Sequence, residues 1–153
     1  MNKTFIIAEI GVNHNGNINL AKKMILLAKK AGADAVKFQT AIPKNVVTVN
    51  AKLAIYQKNN LNYKTSQLHM LEKIHLSLKS FVTIKKFCKK NNIFFLSSAF
   101  DVESLNFLKK IGLSHFKIPS GEINNYPYLK LLESFNKKII FSTGMSTVKE
   151  IRD

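Results

Sequence analysis

The stretch Ala35-Val36-Lys37-Phe38-Gln39-Thr40 reads as a strand with a charge in its middle. Successive side chains of a strand point to opposite faces, so Val36, Phe38 and Thr40 share one side, and Lys37 and Gln39 share the other. A buried charge without a partner is costly. The same anomaly recurs twice: Glu9 interrupts the β-prone run Phe5–Asn13, and Lys117 sits inside His115–Gly121.

Working outward from these strands, the chain alternates regularly. After the break His14-Asn15-Gly16-Asn17, Leu20, Met24, Leu27, Ala28 and Ala31 follow at helical spacing and Gly32 is placed to end them. Residues 41–65 are polar, Asn-rich and aperiodic, long enough to suggest a functional loop. Ser66–Asn91 reads as helix, broken near Ser77, and Ile93–Phe100 as a strand. Asp101 can cap a helix carrying Leu105, Leu108 and Ile111, ended by Gly112. Tyr126–Phe135 is a helix with Pro127 in its first turn, and Lys138–Gly144 is a fifth strand. Thr147-Val148-Lys149-Glu150 has the form of a capping box that opens a further helix.

Strands alternating with helices specify an α/β protein with a parallel sheet. Two architectures compete. One is a flavodoxin-like open parallel sheet. The other is the N-terminal portion, about five βα units, of a TIM (β/α)8 barrel, which needs ~250 residues. The inward charges favour the barrel. Central strands of an open doubly wound sheet are covered on both faces and read as apolar runs. The upper lumen of a barrel is an active site, where inward charges are expected. The chain also stops about one turn into its last helix, so residues 1–153 are expected to form an incomplete barrel domain.

Composition narrows the function. The 153 residues are 46% hydrophobic, which excludes a disordered chain. No apolar run approaches the ~18–20 residues that cross a bilayer, and Phe5–Ala8 is too short for a signal-peptide core. The single cysteine, Cys88, excludes a disulfide framework and a zinc cluster. A reduced, cytoplasmic protein with no membrane partner is the expectation. The net charge of +15 invites a nucleic-acid reading, but the only arginine is Arg152. Arginine is the preferred residue for bidentate phosphate and guanine contacts. The lysines are therefore read as solvated helix faces, with no nucleic-acid partner. Cys88 is read as structural, although lysines around it could lower its pKa.

In a parallel α/β fold the C-terminal ends of the strands converge on one face. Here they bring Glu9, Asn13 and His14; Lys37 and Gln39; Ser97, Ser98 and Asp101; Lys117, Ser120 and Glu122; Ser142 and Thr143. Two lysines among hydroxyls suit a phosphate or carboxylate. The carboxylates Glu9 and Glu122 could orient hydroxyls or handle protons, and an ion pair between strands is the plain structural alternative. His14 either touches ligand or stabilises its turn, while Asp101 reads as a helix cap. No GxSxG and no phosphate-cradling GxxxxGK[ST] loop is present, so nucleophilic hydrolysis and P-loop chemistry are disfavoured.

Four motifs then carry a family resemblance: Ala8-Glu9-Ile10-Gly11-Val12-Asn13-His14-Asn15-Gly16, Val36-Lys37-Phe38-Gln39-Thr40, Phe116-Lys117-Ile118-Pro119-Ser120-Gly121-Glu122-Ile123-Asn124-Asn125-Tyr126-Pro127 and Ser142-Thr143-Gly144-Met145. In order and spacing they resemble the sialic acid synthase family. With Ala51-Lys52 and Tyr56-Gln57, they look most like its legionaminic-acid branch.

The resemblance implies condensation of phosphoenolpyruvate with N-acetylmannosamine or a 2,4-diacetamido hexose. The products would be phosphate and a nine-carbon 2-keto acid. It implies catalytic roles for Glu9 and Glu122, with Lys37, Ser98, Lys117, Ser120 and Ser142 holding phosphoenolpyruvate, and Gln39 and Glu122 meeting the sugar. It implies a divalent metal, Mn2+ or Mg2+, whose histidine ligands come from later strands. It also implies a homodimer and a C-terminal antifreeze-like domain. Ser97-Ser98-Ala99-Phe100 stands where the family usually has Ser-Thr-Pro-Phe; Ser98 keeps the hydroxyl. Without the later parts the chain is expected to be inactive. An inactive remnant, a small basic nucleic-acid-binding domain and a related synthase acting on a sugar phosphate are the competing readings.

Overall fold

The computed structural model describes residues 4–55, 57 and 65–152. In chain order the elements are β1 (Ile7–Gly11), α1 (Ile18–Lys30), β2 (Ala35–Thr40), α2 (Pro43–Val46), α3 (Gln67–Ile74), α4 (Leu78–Lys90), β3 (Phe94–Ala99), α5 (Val102–Lys110), β4 (His115–Ile118), α6 (Tyr126–Glu133), β5 (Lys138–Phe141) and α7 (Val148–Arg152). A 3-10 turn, Ser120–Glu122, links β4 to α6.

The strands pair in parallel in the order β1-β2-β3, and β4 pairs in parallel with β5. Strand β4 lies beside β3, with the Phe94 and His115 rings edge to face at 5.2 Å between centroids. Spatial order therefore follows chain order. A flavodoxin-like sheet would put β1 between β2 and β3. Here β2 holds that place, which rules out the open-sheet alternative and leaves the first five units of a (β/α)8 barrel.

All the long helices pack on one face of these strands. Val36, Phe38, Phe95, Phe116 and Ile118 join Ala21 and Ile25 of α1, Phe81, Ile84 and Cys88 of α4, Leu105 and Leu108 of α5 and Leu132 of α6 in one core. Register explains the division. Lys37 lies opposite Glu9 on one side and Leu96 on the other, and Gln39 lies opposite Ser98, so these side chains share the inner face. Ser97, opposite Phe38, shares the outer face; its hydroxyl meets that of Thr40 at 2.7 Å and does not join the site.

Local chemistry sets the element ends. Asn17, Ser66, Ser77, Asp101 and Asn125 each accept backbone N–H groups at a helix start. Ser77 starts α4 three residues after α3 ends, the break the sequence implies. Thr147 and Glu150 form a reciprocal cap at α7, the Thr147 N–H donating to the Glu150 carboxylate at 2.7 Å. Strand β4 is shorter than its apolar pattern suggests, because Pro119 has no N–H for the ladder and the chain turns into the 3-10 segment. The long loop is less irregular than expected: Pro43 opens the short helix α2, and Leu53 is buried. Tyr56 and much of the second half of that loop lie outside the described residues.

Several lysines have a structural task. Lys29 of α1 donates to the carbonyl of Asn92 at 2.6 Å, just before β3. Lys85 of α4 donates to the carbonyls of Ile111 and Gly112, just before β4. Lys109 of α5 stands 4.1 Å from the centre of the Phe135 ring, just before β5. Lys29 and Lys85 thus reach carbonyls just past the ends of α4 and α5, where the helix dipole favours a cation, and Lys109 reaches a ring just past α6.

Candidate functional site

Strand β1 supplies Glu9, and a bulge at Gly11 shapes its surroundings. The β1–β2 register slips between Glu9 and Gly11, and Gly11 has a φ of +55°. A Cβ there would lie 3.4 Å from Oε1 of Glu9 and 3.7 Å from Nε2 of Gln39. Glycine accommodates the backbone bend, while a Cβ would only come into ordinary contact with the two side chains.

The Lys37 ammonium pairs with the Glu9 carboxylate. The Lys37 side chain retains 14% of its exposure and Glu9 retains 50%, so the pair is open on one side. An ion pair so exposed stabilises a fold little, which weakens the purely structural account of these charges. On β4, the Lys117 ammonium donates to the Ser142 hydroxyl and, at 2.8 Å, to the carbonyl of Ile118. Burial first, and the facing Lys37 second, hold Lys117 below the usual lysine range; Glu9 acts in the opposite direction. Lys117 thus lies within electrostatic reach of the Lys37–Glu9 pair, a formal balance of +1 from Lys37, Lys117 and Glu9. Such a cluster is set up for an anion carrying more than one charge.

The other residues singled out from sequence take places around this cluster. Ser98 is buried on the same inner face, beside Gln39. The Ser120 hydroxyl packs against the loop after β5, 3.4 Å from where a Cβ on Gly144 would lie. Glu122 stands apart from the lysines on the 3-10 turn, and its carboxylate accepts a hydrogen bond from Asn125 at 2.6 Å. Asn125 is a site neighbour that sequence reasoning passed over, although it lies inside the third motif. Tyr128 is another: buried beneath the rim, it donates to the Ala99 carbonyl at 3.0 Å.

His14 is fully buried, stacks on Phe38 at 5.9 Å between centroids and accepts the Gly16 N–H at Nδ1. That is the turn-stabilising role. The Gly16 N–H also donates to the Ile74 carbonyl, tying the turn to the corner between α3 and α4. Burial lowers the pKa of His14 and of His75. Asp101 caps α5 through Ser104 and holds the Ile42 N–H at 2.8 Å. Cys88 is buried and its thiol is pushed up to about 12, so desolvation outweighs any effect of the surrounding lysines. Among the described residues no group of three or more His, Cys, Asp or Glu side chains could hold a metal ion, and no helix is long and apolar enough to cross a membrane.

A model of the NeuB family matches residues 24–153. The chain is 52% identical over 153 residues to the N,N'-diacetyllegionaminic acid synthase of Campylobacter jejuni subsp. jejuni serotype O:2, covering all of this chain and 46% of that protein. It is 44% identical over 148 residues to the N,N'-diacetyllegionaminic acid synthase of Legionella pneumophila, covering 97% of this chain and 42% of that protein. Among solved structures, an N-acetylneuraminic acid (sialic acid) synthetase from Leptospira borgpetersenii superposes with a TM-score of 0.83 at 34% identity, over 99% of this chain and 48% of that one. The chain thus spans under half the length of these relatives.

Proposed function

The chain belongs to the NeuB family, and from that premise we propose that the whole protein condenses phosphoenolpyruvate with a 2,4-diacetamido-trideoxy-hexose to give a legionaminate-type nonulosonic acid and phosphate. The family is one of sialic and legionaminic acid synthases. The observation that carries the proposal is the gathering of Lys37, paired with Glu9, and Lys117, hydrogen-bonded to Ser142, within electrostatic reach of one another.

In this reading a new bond forms between C3 of phosphoenolpyruvate and the aldehyde carbon of the open-chain sugar. Water adds at C2, and phosphate leaves with the C–O bond. Lys37 and Lys117 offset the charge of the phosphate and carboxylate; Ser98, Ser120 and Ser142 donate hydrogen bonds to their oxygens. Glu9, freed from Lys37 when the anion takes its place, orients the water or holds a proton near C2. Gln39 and Glu122 meet the hydroxyl and amide groups of the sugar. Among the described residues no three His, Cys, Asp or Glu side chains gather to hold a divalent metal. Mn2+ or Mg2+ is proposed for the whole protein, held by residues other than these, where it would polarise the aldehyde.

The test is an assay of the whole protein with phosphoenolpyruvate and either the diacetamido sugar or N-acetylmannosamine, following phosphate release. Release with the first sugar is expected. Release with N-acetylmannosamine only would move the assignment to the N-acetylneuraminate branch, and no release with either would overturn the proposal. The 153-residue polypeptide assayed alone is expected to be inactive. Its outer strands β1 and β5 have free edges among the described residues, and Ile139 and Phe141 are 46% and 39% exposed.

A further inference from the structure

Glu122 sits on a three-residue turn rather than on a strand, so the ladder does not aim its carboxylate. One neighbour does. The Asn125 side-chain amide donates from Nδ2 to Oε2 of Glu122 at 2.6 Å, while its Oδ1 accepts the Tyr128 N–H at 3.3 Å. The second contact is the N-cap of α6. The two partners settle the amide orientation, because a carboxylate needs a donor and an N–H needs an acceptor. The backbone adds a brace, the Asn125 N–H donating to the Glu122 carbonyl at 3.1 Å.

We infer that Asn125 is a positioning residue for Glu122: it couples the carboxylate to the start of α6 and so fixes where the acceptor sugar is met. Its kinetic part rests on the reading of Glu122 as a sugar contact. Asparagine offers the helix an acceptor and the carboxylate a donor on two separate atoms of one planar amide. Serine and aspartate cap a helix comparably, but aspartate has no amide donor, and serine carries one oxygen, nearer the backbone, in place of the two amide atoms. Asn125→Ser therefore keeps the cap and loses the clamp. Asn125→Asp keeps the cap and sets a like charge against Glu122. Asn125→Ala loses both.

In the whole protein, the serine and aspartate variants are expected to melt within about 2 °C of the parent. Their KM for the acceptor sugar should rise about five- to tenfold, aspartate more than serine, as loss of a hydrogen bond to a charged group implies. The KM for phosphoenolpyruvate should stay within about twofold. In a Glu122→Ala background, Asn125→Ser should add nothing further. If the serine and aspartate variants keep the parent KM for the sugar and only Asn125→Ala loses thermal stability, Asn125 is a cap alone and the inference is overturned. If the parent condenses no acceptor, the functional reading fails separately, and crystal structures of the parent and of Asn125→Ser decide the positioning. A displaced Glu122 carboxylate above an unmoved α6 upholds it; an unmoved carboxylate overturns it.

Discussion

The two ends of this strand-and-helix layer use the same residue type for opposite purposes. At the end where helices finish and strands begin, Lys29 and Lys85 reach carbonyls that need a donor, and Lys109 reaches an aromatic face. Their charges are satisfied by the fold. At the other end, Lys37 pairs with a half-exposed Glu9, and Lys117 lies within electrostatic reach of both. Burial and the neighbouring Lys37 disfavour the charged form of Lys117. A lysine that completes a helix end is explained by stability, whereas a pair that repels on an open inner face calls for an anion.

That contrast can be broken most decisively at Lys117. Lys117→Met should lower condensation by the whole protein about a hundredfold or more, because it removes preorganised charge from the developing phosphate. Stability should be unchanged or slightly higher, since a partly buried, repelled ammonium is lost. A variant that unfolded while its activity loss tracked the fraction unfolded would place Lys117 with the structural lysines.

A smaller effect sharpens the same comparison through pH. Burial and Lys37 lower the Lys117 pKa from 10.5. The protonated form binds the anion, so phosphoenolpyruvate affinity should fall as pH rises through the lowered value, by about tenfold per unit above it. The ligand-free fold should gain stability over the same window, because the unfolded chain holds that proton more tightly. Calorimetric titration across the alkaline range checks this, and Lys117→Met should abolish its share of the fall.

The smallest effect belongs to the other end. Lys85→Met should cost about 1 kcal/mol of stability through two lost carbonyl contacts, with the KM for phosphoenolpyruvate unaltered. Denaturant unfolding measures the first and the phosphate-release assay the second. An altered KM with unchanged stability would erase the distinction between the two ends.

Much of the fold was legible because its signals are local. Asp101, Ser77 and the Thr147–Glu150 box announce helix starts by side-chain chemistry alone. Lys37 and Gln39 declare a shared face through the two-residue period of a strand. Less was legible where partners lie far apart in sequence. Ser97 and Ser98 look equivalent on paper, yet pairing with β2 turns Ser97 outward to Thr40 and Ser98 inward. The burial of Cys88 overrode its lysine neighbours because desolvation depends on what α4 packs against.

Taken by itself, the sequence determined the alternation of strands and helices, the inward placement of Glu9, Lys37 and Lys117, and the motifs of the NeuB family. All of these follow from backbone periodicity, capping chemistry or residue order. Only the tertiary structure decided that β2 lies between β1 and β3, and that Lys37 pairs with Glu9 while Lys117 takes Ser142. Strand order and side-chain partnership are long-range properties, set by which apolar faces bury together, and no local pattern along the chain encodes them.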